Sequence, residues 1–146
     1  MGDFGMTAAA QASRIIAAKP ADIWQTLTSG KKVKACMIGA DVETDWRVGG
    51  PITLRGEINV ERFEDTGEVR SFLPERRLSY THPNSSAAGR TQLVTIELQR
   101  RGAETEVTVI QENLTGVPQP ADTERWAEFE KTWAKMLEGL EKAVAH

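Results

Sequence analysis

A chain of 146 residues is long enough for one domain with its own hydrophobic core and too short for a second independent domain. The formal net charge is −3 and no basic block stands out, which argues against nucleic-acid binding through a strongly basic surface. No apolar run approaches the ~20 residues of a membrane span, and the N-terminus lacks the basic and apolar parts of a signal peptide.

Cysteine and histidine are too scarce for several kinds of site. Cys36 is the single cysteine, so no disulfide can form within the chain, and we expect a cytoplasmic protein. Because the chain has only two histidines, one of them the last residue, the sequence argues against a zinc site. We expect no metal and no cofactor. Cys36 lies among apolar residues and is interpreted as an inert buried thiol, with a reactive or ligand-contacting thiol as the alternative.

The first quarter of the chain predicts a tail, a strand and a pair of short helices. Residues 1–9 are interpreted as a flexible tail, and residues 10–146 as the single domain. The first strand is predicted at 10–18. The first helix is predicted at 20–28, where the leading proline is tolerated in a first helical turn, and the second at 31–38.

From residue 40 the apolar pattern changes to a period of two, which predicts half-buried strands. The predicted strands are 40–46, 51–58, 67–73, 76–82, 91–99 and 104–112. The charged segment 61–67 is interpreted as a loop, and 83–90 as a polar loop. Closely spaced strands with short connections favour an antiparallel meander.

The last predicted element is a long amphipathic helix from Arg125 to Val144. In an ideal helix its large apolar residues fall within an arc of roughly 100°. They are Trp126, Phe129, Trp133, Met136, Leu137, Leu140 and Val144. Such a stripe requires a wide apolar partner, which the strands supply. The order of elements therefore predicts an α+β fold with a helix on one face of an antiparallel sheet.

Several motifs along the chain resemble one known group of proteins. They are Trp46 to Gly50, Glu64 to Val69, Pro74 to Thr81, Thr108 to Asn113 and the aromatic helix Trp126 to Leu140. In this order they resemble the START/SRPBCC superfamily, and within it proteins similar to the C-terminal domain of the heat-shock-protein-90 ATPase activator. The resemblance implies a helix-grip fold, in which a curved antiparallel sheet of six to seven strands wraps around the long C-terminal helix.

The resemblance also implies a cavity between sheet and helix, which members of the superfamily use for lipids, polyketides, hormones or other apolar molecules. We expect this chain to bind a small apolar or aromatic molecule there, with Tyr80 and His82 as the polar contacts. The other residues expected to line the cavity are Trp46, Leu54, Ile96, Trp126, Phe129 and Trp133.

Plainer roles remain open for several of these residues. Trp126 and Trp133 could serve only as core packing beneath the helix. His82 ends a strand, so it could lie on the solvent-exposed rim, contact a ligand, or act as a general base.

No catalytic constellation is visible, so an enzyme of the polyketide cyclase or dehydratase type stays an alternative, with His82 or Tyr80 moving a proton. A role as a chaperone ATPase co-activator is disfavoured, because the full activator that the resemblance indicates carries an additional N-terminal domain. The residues leave a homodimer open.

Overall fold

The computed structural model of this chain describes residues 9–29, 41–58, 61–83, 91–114 and 122–145. Its helices and strands are β1 (Ala9–Ile16), α1 (Pro20–Thr28), β2 (Asp41–Thr44), β3 (Pro51–Ile58), β4 (Glu61–Leu73), β5 (Arg77–Pro83), β6 (Thr91–Arg101), β7 (Glu104–Asn113) and α2 (Asp122–Ala145). Residues 1–8, the predicted second short helix at 31–38 and Cys36 lie outside the described residues.

The strands form one curved antiparallel sheet of seven strands, in the order β1-β7-β6-β5-β4-β3-β2. Neighbours in the sheet follow each other in the chain except for β1, which pairs with β7 along its whole length. The meander, the short helix after the first strand and the long C-terminal helix confirm the predicted helix-grip arrangement.

The outer strand β1 holds α2 in place. The backbone N–H of Gln11 donates to Glu130 Oε2 at 3.0 Å, so a helix side chain satisfies a donor at the free edge of the sheet. Arg14 forms an ion pair with Glu141 at 2.7 Å. Both contacts join β1 to the helix, which fixes the helix across one end of the sheet.

The prediction of a loop at 61–67 is wrong, because β4 begins at Glu61 and runs for 13 residues. Charged residues suggested a loop, but the backbone of this segment pairs with β3 from Ile58↔Glu61 to Pro51↔Glu68. Glu64 contacts Arg55 across the two strands at 3.4 Å, and both side chains are exposed.

A bulge in β4 marks the place where this strand changes partner. The register shifts between Val69 and Ser71, where pairing with β5 begins. Just before the bulge, a Cβ atom added to Gly67 would lie 1.8 Å from the carbonyl oxygen of Thr81, so that only glycine fits. The Thr81 hydroxyl accepts the Glu68 N–H at 2.8 Å. Bulges bend a strand, and this one contributes to the curvature of the sheet.

The hydrophobic core lies on the concave face of the sheet. Alternate residues of β6 are buried, as the period of two predicts, and Met136, Leu137 and Leu140 of α2 are buried with them. Farther towards the N-terminus of α2, Trp126 is buried, whereas Phe129 and Trp133 are half-buried. The apolar stripe of the helix therefore does face the protein.

Candidate functional site

A small apolar cavity lies between α1 and the concave face of the sheet. Its lining residues come from α1, four strands and the β2–β3 turn. They are Leu27, Val42, Trp46, Ile52, Leu54, Leu78, Tyr80 and Ile96. The volume open to the centre of a water-sized sphere is about 20 Å³. A space of this size holds one or two water molecules, and no organic ligand fits it in this state of the protein.

Strand periodicity and cross-strand pairing bring these lining residues together. Leu54 lies opposite Val42 in the β2–β3 pair, and Leu78 lies opposite Ile96 in the β5–β6 pair. Because side chains alternate between the faces of a strand, Tyr80 lies on the same face as Leu78. The wall is therefore built from the inward-facing residues of neighbouring strands.

Trp46 is the lining residue with an unusual backbone. It follows β2 with a φ of 56°, in the left-handed region that bulky residues rarely adopt. The Thr44 hydroxyl accepts the Trp46 N–H at 3.0 Å and donates to the Pro51 carbonyl oxygen at 2.9 Å. Two hydrogen bonds of one hydroxyl thus hold Trp46 in a conformation that costs free energy.

The Trp46 indole also belongs to a row of three aromatic rings. It stacks on Phe72, with ring centroids 5.7 Å apart and an interplanar angle of 25°. Phe72 in turn contacts Trp24 of α1, with centroids 5.2 Å apart and the rings tilted by 55°. The row connects the β2–β3 turn through β4 to α1.

The wall has little polar character. Tyr80 supplies a phenol that is 3% exposed, and Trp46 supplies an indole N–H. Among the residues that the structure describes, no buried side-chain nitrogen or oxygen atom lacks a hydrogen-bond partner. The cavity therefore suits an apolar ligand with few polar atoms.

A separate buried chain of hydrogen bonds involves Trp133 of α2. Trp133 Nε1 donates to Gln111 Oε1 at 2.7 Å, and Gln111 Nε2 donates to Gln92 Oε1 at 2.5 Å. Gln92 Nε2 then donates to Asn113 Oδ1 at 3.1 Å. Gln92 and Gln111 are buried at inward-facing positions of β6 and β7. The chain satisfies amide groups that would otherwise be costly to bury.

The structure brings together half of the residues expected to form the site. Trp46, Leu54, Tyr80 and Ile96 all line the cavity. The three aromatic residues of α2 do not line it. Trp126 and Phe129 contact each other with ring centroids 5.8 Å apart, and Trp133 bonds to Gln111.

The backbone of His82 lies in β5 opposite Gln92, and its side chain lies outside the described part of the structure.

Sequence reasoning missed Leu27, Val42, Ile52 and Leu78 as lining residues. A signal for each was present. Val42, Ile52 and Leu78 share strand faces with Trp46, Leu54 and Tyr80, and Leu27 lies on the apolar face of α1. What the pattern could not supply was the position of α1 over these strands.

The charges near the site lie on the outer surface. Arg55 contacts Glu43 at 3.1 Å and Glu64 at 3.4 Å. The hydrogen bond that Arg55 donates to Glu43, with a second that it donates to Glu64, raises the pKa of the Arg55 guanidinium above its ordinary value. Within the described ranges, no three His, Cys, Asp or Glu side chains come together as a metal site. No described helix is both long and apolar enough to span a membrane.

Comparison with known proteins places this geometry in a family. The sequence profile of the family described as Activator of Hsp90 ATPase homolog 1-like protein matches residues 17–145. No curated protein sequence matches the chain.

Solved structures share the fold. A protein from Cytophaga hutchinsonii is 28% identical, with a TM-score of 0.73 over 93% of this chain and 92% of its own. A protein from Mesorhizobium loti is 18% identical, with a TM-score of 0.78 over 94% of this chain and 96% of its own. The Aha1 dimer from Colwellia psychrerythraea is 19% identical, with a TM-score of 0.69 over 94% of this chain and 96% of its own.

Proposed function

This chain belongs to the family of Activator of Hsp90 ATPase homolog 1-like proteins, and from this membership and the geometry of the cavity we propose that it binds a small apolar or aromatic molecule. The binding site is the cavity between α1 and the sheet, with Trp46, Leu54, Tyr80 and Ile96 in its wall. The observation that carries the proposal is an apolar wall interrupted by one buried phenol, which is the usual composition of a ligand pocket.

The affinity expected for such a ligand follows from the energetics of apolar burial. A ring system that buries about 200 Å² gains about 5 kcal/mol at roughly 25 cal/mol per Å². Loss of translational and rotational freedom opposes this gain by several kcal/mol. The net gain is therefore below the roughly 4.1 kcal/mol that a dissociation constant of about 1 mM requires, and we expect a simple ring compound to bind with a dissociation constant weaker than about 1 mM. Tighter binding requires a larger ligand that buries more apolar surface.

A ligand series tests the proposal directly. Benzene, indole, 2-naphthol and decanoic acid are titrated into the wild-type protein, while tryptophan fluorescence and melting temperature are recorded. We expect at least one compound to raise the melting temperature in a saturable manner, because a ligand that binds only the folded state stabilises it. Absence of any saturable change throughout the series contradicts the proposal.

Catalysis in the same cavity is the alternative to simple binding. Tyr80 is the described side chain of the wall that can donate a proton, so a cyclase- or dehydratase-like reaction would depend on its phenol. Tyr80→Phe keeps the ring and removes the hydroxyl. Loss of turnover with retained ligand affinity in this variant would favour an enzyme over a binding module.

Self-association is a further part of the proposal. The Colwellia psychrerythraea neighbour is described as a dimer, and this chain shares its fold. We propose a homodimer for this chain as well. Sedimentation equilibrium across a concentration series tests it, and a single monomeric mass at all concentrations contradicts it.

A further inference from the structure

The cavity is too small for the ligand proposed above, so some part of its wall must move before a ring can enter. Of the eight lining side chains in the described part of the chain, six are buried and are 7% exposed or less. The two half-buried ones are Val42 and Trp46. Val42 lies within β2 and pairs with Leu54, which leaves its backbone little freedom. Trp46 lies beyond the end of β2 and is the lining residue that can swing outwards.

The backbone of Trp46 favours such a movement. Its φ of 56° is unfavourable for a side chain of this size, and strain of this kind costs of the order of 1 to 3 kcal/mol. The contacts that offset it in this conformation are the two hydrogen bonds of Thr44 and the stacking on Phe72. A ligand that stacks on Phe72 in place of the indole removes the stacking contribution, so that only the hydrogen bonds of Thr44 remain to offset the strain.

The Trp46 ring that stacks on Phe72 indicates the class of the ligand. The indole of Trp46 fills the space beside Phe72 and contributes to the cavity wall. A flat aromatic molecule of similar size could make the same stacking contact and reach the apolar side chains behind it.

From these observations we propose that Trp46 acts as an internal substitute for the ligand, whose class is a flat fused-ring aromatic compound of about the size of indole. Binding replaces the Trp46 ring on Phe72 and turns that ring out towards solvent. This inference rests on the proposed function and adds to it the class of ligand and the residue that gates the site.

Two measurements with indole as the probe test the inference. The first compares indole affinity, by calorimetry, between the wild type and Trp46→Ala. If the ring competes with the ligand, its removal raises the fraction of protein that is ready to bind, and we expect roughly tenfold tighter binding. Trp46→Phe is the matched control, because it keeps a ring beside Phe72 and should bind indole more weakly than the alanine variant.

The second measurement follows the ring itself in the wild-type chain. Labelling with 5-fluorotryptophan gives a ¹⁹F signal for each of the four tryptophans, and Trp46→Phe identifies the signal of Trp46. Saturation with indole should move the Trp46 signal towards that of a solvent-exposed indole. The signal of Trp126, which contacts Phe129 and does not line the cavity, should stay in place.

The outcomes separate this inference from the proposed function. If Trp46→Ala binds indole more tightly than the wild type and the Trp46 signal of the wild type moves at saturation, the inference stands, and the proposed function is judged by the ligand series alone. If the wild type binds a ligand of the series while the Trp46 signal stays still at saturation, the inference is overturned and the proposed function survives. Equal indole affinity of wild type and a folded Trp46→Ala also overturns it. Should the alanine variant fail to fold, the ¹⁹F measurement on the wild type decides.

Discussion

The indole N–H of Trp133 donates to the side-chain oxygen of Gln111 at 2.7 Å, and this bond joins the C-terminal helix to the floor of the sheet. Gln111 is 3% exposed and donates a hydrogen bond from its own side-chain amide to Gln92, which is 1% exposed. A buried amide chain is stabilising only while each member keeps its partner. The helix is therefore held by a hydrogen bond in addition to its apolar stripe.

Trp133→Phe should destabilise the protein through this bond. The variant keeps an aromatic ring and removes the donor, which leaves the Gln111 oxygen buried without its partner. We expect a loss of about 1 to 3 kcal/mol in the free energy of unfolding, measured by urea denaturation.

Trp126→Phe is the matched control for this loss, because Trp126 contacts Phe129 and is not part of the amide chain. Equal losses in the two variants would mean that the hydrogen bond contributes nothing beyond ring size.

Gly67→Ala should be among the most damaging small substitutions in the described chain. Its Cβ would lie 1.8 Å from the Thr81 carbonyl oxygen, and the contact is with backbone that cannot turn aside. We expect a loss of roughly 3 kcal/mol or more, because strands β4 and β5 must separate. Gly102→Ala is the control.

Gly102 has a φ of +65° and nothing within 4 Å of an added Cβ atom. Its replacement should cost only the left-handed backbone penalty of about 1 kcal/mol. Thermal melts of both variants give the comparison. A Gly67→Ala protein as stable as Gly102→Ala would show that β5 is able to shift away from β4.

Much of the fold could be predicted because several strands bury one face and expose the other. The alternation around Leu54 in β3 and around Val94 and Ile96 in β6 indicates both the strand and the face that is buried. Helix α1 was predicted with the observed bounds, because its leading proline and its apolar positions at helical spacing agree.

The features that could not be predicted depend on partners outside the segment itself. The first part of β4 is charged, and only pairing with β3 makes it a strand. The role of Trp133 likewise stayed open between cavity wall and core packing, because its partner Gln111 is 22 residues away and looks like an ordinary polar residue of a strand. Half of the cavity wall was found because strand faces follow from local pattern, whereas the position of α1 does not.

Trp46→Gly should be more stable than Trp46→Ala. Both variants lose the stacking on Phe72, but only glycine accepts a φ of 56° without strain. We expect a difference of about 1 kcal/mol in unfolding free energy in favour of glycine.

Glu75 offers a control for this comparison, since its φ of 66° is similar and its side chain is exposed. The same glycine-over-alanine difference should appear there. If it appears at Glu75 and is missing at Trp46, the turn relaxes when the indole is removed, and the backbone of Trp46 is not a store of strain.

Val42→Phe should block ligand binding. Val42 is, with Trp46, one of the two half-buried residues of the described cavity wall, and a larger side chain there fills the cavity. Val42 faces Leu54 across β2 and β3, so a phenyl ring at this position extends into the space that a ligand needs. We expect at least a tenfold loss of affinity for whichever aromatic compound the wild type binds, corresponding to about 1.4 kcal/mol. We also expect a loss of stability of about 1 to 3 kcal/mol, because the ring is larger than the existing space and the wall must shift to accommodate it.

Val48→Phe places the same bulk on the surface, where Val48 is 60% exposed and not part of the cavity. It should leave the affinity unchanged. Unaltered binding in both variants would place the ligand elsewhere in the protein. Reduced binding in both would indicate that the whole β2–β3 turn, and not the cavity behind it, contacts the ligand.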